Sequence, residues 1–521
     1  MQNTHGDYVV DIPYTWEFFD VQNPAYLSYL CHSRGIKTPL TTDDFTYCEL
    51  GCGNGLTSNL LAAALPQGQF YAVDFNPEHI ANAETIAEAG QLNNINFLCC
   101  DFEALLRKDD VPAMDFITLH GVYSWVSQDI RNQVLQIIHK YLKPGGLLYV
   151  SYNPLPKWSE ITPMWRIMLE HIRPMQTDSV SKAEEGLRYL SHLRENGLQY
   201  LRTHPGASHF LDELLARDIR FVAHEFCNNY LEPQYFIDVA NAMSGIGLEY
   251  CCNADFEDSE VFIPGELLDY VGGDVGKVAK ESRRSLLSNE FFRRDIYIKG
   301  DGRDAQDKDA CLSLMGDWIL GSQYSDFQIQ RAFPAYKNDV RFQDTIYEAI
   351  MVTAYQGQLN LTELCTHENL NGYSPDNIID AVHALVKAEQ LDVLVSKAAK
   401  PYAIDDDPIK TFTLVHPVNR YLLDNRLLQD AQCYLVSPVL GSALPLDLIT
   451  GLCLMALLDD ANDDAVDFIR EKLKYAAGNY SENDDRLPNP AKLADREWLE
   501  EQWHEFKMNI LPVLLRYKIL H

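Results

Sequence analysis

The chain has 521 residues, too many for a single core when domains mostly run to about 100–200 residues, so two to four folded units are expected. Hydrophobic residues at 46% and charged residues at 23% are the proportions of an ordinary globular protein and exclude a disordered or collagen-like chain. The formal net charge of -32 argues against nucleic acid as partner, because affinity for phosphate comes from cations that displace its counterions; a basic protein or peptide fits better.

The opening residues, Met1 to Asp7, hold neither a basic region nor an apolar run, so no secretory signal is expected. The most apolar window, Leu435 to Leu458, is broken by Pro438, Pro445 and Asp447; it reads as a buried helix and not as a membrane span, which needs about 18 uninterrupted apolar residues. The 12 cysteines fall into no C-x-x-C pairs, which predicts reduced, buried thiols, a cytoplasmic location and no metal centre.

From Phe45 to about Asn153, short apolar runs alternate with amphipathic stretches, the pattern of an α/β fold with a parallel sheet between helices. Trp158 to Ala223 reads as several amphipathic helices. Pro233 to Gly247 then reads as one more helix, leading into strands at Leu248–Cys252 and Asp295–Lys299 that would close the same sheet. The helical segment, residues 156–230, is thereby predicted as an insertion lying like a lid over the sheet's carboxyl edge. The polar run Gly300 to Asp304 marks a boundary, giving a core over residues 1–300. Residues 305–415 carry helices at Asp344–Gln356, Leu361–Cys365 and Ser374–Gln390, the last with Ser374 as N-cap and Pro375 in its first turn, then strands at Leu391–Val395 and Thr411–Leu414: a winged-helix-like order. The third helix carries Asp376, Asp380 and Glu389 against Lys387, which points to protein contact or scaffolding and away from DNA. Residues 416–521 read as helical.

The sharpest signal is a strand, then Glu49-Leu50-Gly51-Cys52-Gly53-Asn54-Gly55, then a helix. Glycines let the backbone turn tightly and approach a ligand. A dinucleotide fingerprint would place glycine at position 56, where Leu56 stands. Asp74 closes the second strand, where a carboxylate can accept both hydroxyls of an unphosphorylated ribose. Phe75 and Asn76 can flank an adenine, and Asp101-Phe102 follows the third strand. The loop resembles the E/D-x-G-x-G-x-G signature of class I S-adenosylmethionine (SAM) methyltransferases. That resemblance implies SAM as cofactor, a seven-stranded Rossmann-like sheet, and Glu49, Gly51, Cys52, Gly53, Gly55, Asp74, Phe75, Asn76, Asp101, Phe102 and His120 around the cofactor.

After the fourth strand comes His120-Gly121-Val122-Tyr123-Ser124-Trp125. A methyltransferase places its acceptor at this edge, so Tyr123 and Trp125, with Tyr14, Trp16 and Tyr152, are the candidate acceptor walls; aromatic burial would favour a neutral amine. No Asn-Pro-Pro-Tyr or Pro-Cys motif for nucleobases is present. The segment His224 to Phe236 resembles the start of the methyltransferase regulatory domain, placing residues 224–300 in it. In layout the chain resembles rickettsial-type outer-membrane-protein lysine methyltransferases. The implied activity is methylation of protein lysine ε-amines; a small-molecule N- or O-methyltransferase and a SAM-binding interaction protein without turnover stay open. A homodimer is compatible with the sequence.

Overall fold

The computed structural model describes residues 4–5, 8–9, 11, 16–254, 263, 265–273, 275–300, 308–323, 344–357, 359–396, 412–459, 464–477, 487–489, 492 and 495–521. Tyr14, Asp301 to Asp304 and Thr411 lie outside them. Helix α1 (Pro24–His32) starts at Asn23, whose side chain accepts the Ala25 N–H at 2.9 Å. The predicted alternation then unfolds: β1 (Phe45–Leu50), α2 (Leu56–Ala64), β2 (Gly68–Asp74), α3 (Pro77–Ala89), β3 (Ile95–Cys99), α4 (Phe102–Leu106), β4 (Met114–Leu119), α5 (Gln128–Tyr141) and β5 (Leu142–Tyr152).

Strand parity shows why these residues make a doubly covered sheet. Tyr47, Phe116, Leu147 and Tyr149 face the core beneath α1 and α2; their neighbours Cys48, Ile117, Leu148 and Val150 face a second core beneath α5. Two later strands, β6 (Leu248–Asn253) and β7 (Arg293–Lys299), close the edge, and the order is β3-β2-β1-β4-β5-β7-β6. The first five strands run parallel, and β7 is antiparallel to both its neighbours. This is the seven-stranded Rossmann-like sheet that the resemblance implies, with its switch point between β1 and β4, where ligands of such sheets bind.

Between β5 and β6 the chain forms α6 (Thr162–Ile172), α7 (Ser179–Glu195), α8 (Gln199–Thr203), α9 (Pro205–Ala216), α10 (Ile219–Phe226) and then α11 (Phe236–Gly245). Helices α6 to α10 bury their own core around Trp158, Trp165, Phe210 and Phe226, to which Trp125 of the sheet edge contributes. The Trp158 indole N–H donates to the Phe291 carbonyl at 2.7 Å, pinning the insertion beside β7. Ahead of β7, α12 (Leu268–Val271) and α13 (Lys277–Ser288) follow. Glu281 of α13, Glu290 and Asp295 surround the fully buried Arg293, an ion cluster at the base of β7.

The remaining chain runs α14 (Lys308–Met315), β8 (Ile319–Gly321), α15 (Thr345–Gln356), β9 (Leu359–Asn360), α16 (Leu361–Cys365), α17 (Pro375–Lys387) and β10 (Asp392–Leu394). Ser374 caps α17 as expected, accepting the Asn377 N–H at 3.2 Å. Strand β10 pairs with β8, whereas Leu414 bridges Leu520 at the far end of the chain. A hairpin appears inside the segment expected to be helical. After α18 (Pro417–Asn425) and α19 (Leu427–Asp430), β11 (Gln432–Ser437) pairs with β12 (Ser442–Asp447), and only then comes the buried helix α20 (Leu448–Leu458). The window from Leu435 is therefore half strand. Pro445 sits on the outer, exposed side of a two-stranded edge, where the missing N–H costs nothing. Gly441 makes the turn at φ +62°, and a Cβ there would lie 2.7 Å from Val395 and 2.9 Å from Leu65. Helices α21 (Ala465–Ala477), α22 (Arg496–Glu505) and α23 (Leu511–Arg516) complete the tail. Leu60 and Leu61 of α2 share one hydrophobic core with Leu435 of β11 and Leu452 of α20, so the C-terminal half packs on the sheet's own helix layer. No helix among the described residues is long and apolar enough to cross a membrane.

Candidate functional site

At the carboxyl ends of β1, β2 and β4 lies a cavity of about 440 Å³, within the size range of small-molecule sites. The glycine loop forms its floor. Gly51 and Gly53 have φ of +76° and +52°, the left-handed region, and a Cβ on Gly51 would lie 2.7 Å from the Val122 side chain. The backbone can thus approach a ligand where a side chain could not. Gly55, at φ +68°, does not line the cavity; its missing side chain lets α2 meet Ala83 of α3.

Asp74 is nearly buried at the end of β2. Its carboxylate accepts the Gly53 N–H at 3.0 Å and the Asn76 N–H at 2.8 Å, and lies 3.3 Å from His79 Nδ1. The loop and the acid are therefore fixed to one another, with the carboxylate facing the cavity. Asn76 is outside the lining and caps α3 by accepting the Glu78 N–H at 3.0 Å. Phe75, Asp101 and Phe102 line the far end, and Asp101 also caps α4 through the Ala104 N–H at 2.7 Å.

Glu49 is buried, and that desolvation pushes its pKa up to about 7. One oxygen accepts from Gln22 Nε2 at 3.1 Å and the other from the Ser58 hydroxyl, so the sequence motif is braced by two residues that no motif announces. Burial likewise raises the Cys52 thiol well above its ordinary range, so Cys52 contributes shape and not a thiolate. His120, at the end of β4, is pushed down to about 3 by burial, with Arg294 adding to the effect, and is neutral at physiological pH. Its Nδ1 is 2.8 Å from the Tyr149 hydroxyl, and its ring stacks on Phe19 at 4.0 Å.

The N-terminal segment folds over the site; of its two predicted aromatics, Tyr14 lies outside the described residues. Glu17 and Phe19 line the cavity, and the Phe19 N–H donates to Thr57 Oγ1 at 3.1 Å. Trp16 instead lies under the Arg426 guanidinium at 4.0 Å, on the C-terminal half. Of the predicted aromatic walls, Trp125 lines the cavity. Tyr123 is packed in the core beneath α5 with Arg131 5.9 Å from its ring, and Tyr152 is buried with its hydroxyl donating to Asp295 at 2.5 Å. Sequence reading missed Glu17, Phe19, Gln22, Ser58 and His79; only Ser58, in the first turn of the helix behind the loop, carried a positional signal.

A second cavity, of about 750 Å³, adjoins the first and shares Glu17 and Phe19 as lining. Its other walls come from β7 (Arg294), from the end of α17 and β10 (Lys387, Glu389, Asp392), and from the β11–β12 turn (Leu440, Ser442). The would-be recognition helix of the winged-helix reading thus turns its carboxyl end inward.

The donor set fits SAM: a cavity-facing carboxylate at the ribose position, left-handed glycines that let the backbone form the floor, and a buried acid behind them. Comparison with known proteins agrees. Residues 41–196 match the methyltransferase domain model, and residues 218–299 match the predicted methyltransferase regulatory domain. An uncharacterized protein of Synechocystis sp. is 27% identical over 517 residues, covering 98% of this chain and 99% of that protein. An uncharacterized protein of Rickettsia prowazekii is 29% identical over 308 residues, covering 56% of this chain and 52% of that protein. In fold, the chain is similar to PKMT2 from Rickettsia typhi in complex with AdoHcy, with a TM-score of 0.68 at 18% identity, covering 98% of this chain and 100% of that one. The chain is a SAM-dependent methyltransferase, built of a methyltransferase domain followed by a methyltransferase regulatory domain.

Proposed function

We propose that the chain methylates lysine ε-amines of a polypeptide. The reading is carried by the second cavity, which holds Glu17, Asp20, Glu389 and Asp392 against Arg294 and Lys387, and which the C-terminal half helps to build. A small acceptor needs no such additional cavity; a long cationic side chain presented on a polypeptide does. The net charge of -32 adds attraction for a basic partner. The overall likeness to PKMT2 of Rickettsia typhi supports the same reading.

Bound SAM supplies an electrophilic methyl group on a sulfonium. The chain's own contribution is placement and exclusion of water: Asp74 would hold the ribose, the glycine loop would approach the cofactor's chain, and Glu49 would face its α-ammonium, which would favour the ionised carboxylate. Alignment of this kind is worth about 7–11 kcal/mol of barrier. Neutral His120 and Phe19 form an aromatic wall beside the reacting centre that carries no competing charge.

Incubation with radiolabelled SAM, a membrane-protein fraction and a small-molecule extract, beside Asp74→Ala, tests the reading. We expect label in protein, recovered as methyl-lysine after hydrolysis and absent in the variant. Label confined to small molecules would replace it with a small-molecule methyltransferase.

A further inference from the structure

We propose that Glu17 is the base that holds and deprotonates the acceptor amine, an assignment that rests on the lysine reading above. Methyl transfer is an in-line displacement, so the acceptor must approach the donor cavity from an adjoining space. The second cavity is such a space, and Glu17 and Phe19 belong to the walls of both.

The other carboxylates and imidazoles of the donor cavity are committed elsewhere or too weakly basic. Glu49 is held by Gln22 and Ser58, Asp74 by two backbone N–H groups, and His79 by Asp74. Asp101 caps α4, Glu103 pairs with Arg107, and His120 is too weak a base. Asp20 lies in the second cavity but not in the first. Glu17 alone among these groups reaches both spaces.

The chain beside it is anchored. The next residues are anchored by the Phe19 N–H bond to Thr57, by the Phe19–His120 stack, and by the contact of Phe18 with Tyr434 at 5.5 Å. The Glu17 side chain is exposed to solvent, yet the surrounding chain removes enough hydration to raise its pKa; Arg217 at the end of α9 and Arg294 of β7 pull it back down. Tyr434 of β11 and Asp20 of its own segment face the same spot. A carboxylate with a raised pKa is a stronger base, closer in strength to an amine.

In the step itself, a proton passes from the acceptor ammonium to the Glu17 carboxylate. The freed nitrogen lone pair forms the N–CH3 bond while the S–CH3 bonding pair stays on sulfur. The products are a methylammonium side chain, neutral S-adenosylhomocysteine and protonated Glu17, which returns its proton to water.

The test uses the full chain and a set of synthetic peptides, each with one lysine, and their norleucine counterparts. For Glu17→Gln we expect kcat at pH 7.5 to fall about 100-fold or more, with activity recovering toward pH 10 as solvent deprotonates the amine. SAM affinity should stay within about twofold, and Glu17→Asp should restore part of the rate. With S-adenosylhomocysteine bound, Glu17→Gln should weaken lysine-peptide binding by about tenfold, the loss of one charge-assisted hydrogen bond, and leave the norleucine peptides unaffected. Wild-type activity on peptides with an unchanged kcat and pH profile in Glu17→Gln would overturn this assignment alone. A wild type that binds SAM but methylates no peptide would overturn the lysine reading, and the assignment with it.

Discussion

The two cavities differ in how the chain builds them. The donor cavity takes most of its walls from one stretch, residues 49–133, because each strand of a parallel sheet delivers its loop to the same edge. The second cavity draws on residues 17–26, 254, 291–294, 323, 386–393 and 440–445, segments brought together only by tertiary packing. A site of the first kind is written as a spaced motif; a site of the second kind is not. Chemistry divides the same way: the donor is constant across a large class of enzymes, while the acceptor is what such a chain must recognise for itself.

The largest expected effect lies on the donor side. Asp74→Ala removes the proposed ribose acceptor and the partner of the Gly53 N–H, and should weaken SAM binding about 100-fold, about 3 kcal/mol, by calorimetry. A change under threefold would break the assignment of the ribose to β2. On the other side, Gly441→Ala must place a Cβ against Val395 and Leu65 in a left-handed turn. We expect about 2–3 kcal/mol of destabilisation in thermal or urea unfolding with SAM affinity unchanged, because the turn walls only the second cavity. A matching loss of SAM affinity would show that the two cavities are not separable.

What was legible follows from the same contrast. Glu49, the glycines and Asp74 could be found because the βαβ rhythm sets their spacing, and the sheet covered by helices could be read from the alternation of apolar runs with amphipathic stretches. Trp16 was expected to wall the site, yet it lies against Arg426 while Glu17 and Phe19 line the cavity. Which side chain of a short irregular stretch points inward is decided by its partners, here Thr57, His120 and Tyr434, and these lie far away in sequence. Tyr123 and Tyr152 were plausible walls by position but point into the core beneath α5 or the Arg293 ion cluster. The hairpin at Gln432–Asp447 was hidden because a continuous apolar run suits a buried strand and a buried helix equally.

A smaller effect sharpens the electrostatics of the donor side. Glu49 has its folded-state pKa raised to about 7, so its contribution to stability is full below the unfolded value near 4.5 and is lost as pH rises through 7. The cofactor's α-ammonium favours the ionised form, so SAM should bind more tightly at pH 8 than at pH 6, by at most about tenfold per pH unit. Glu49→Gln should flatten that dependence, and an unchanged slope would remove Glu49 from the ammonium. The smallest effect concerns the seam between the halves. Trp16→Ala deletes the face under Arg426 and should cost about 1 kcal/mol or slightly more in unfolding, without altering SAM affinity.

The arrangement of donor and acceptor is tested most directly by a crystal structure of the protein with S-adenosylhomocysteine. We expect the ribose hydroxyls on Asp74 and the sulfur facing the Glu17–Phe19 wall, so that a methyl group would point toward the second cavity. A sulfur turned away from that wall, toward Trp125 and Ile130, would contradict the paired-cavity arrangement.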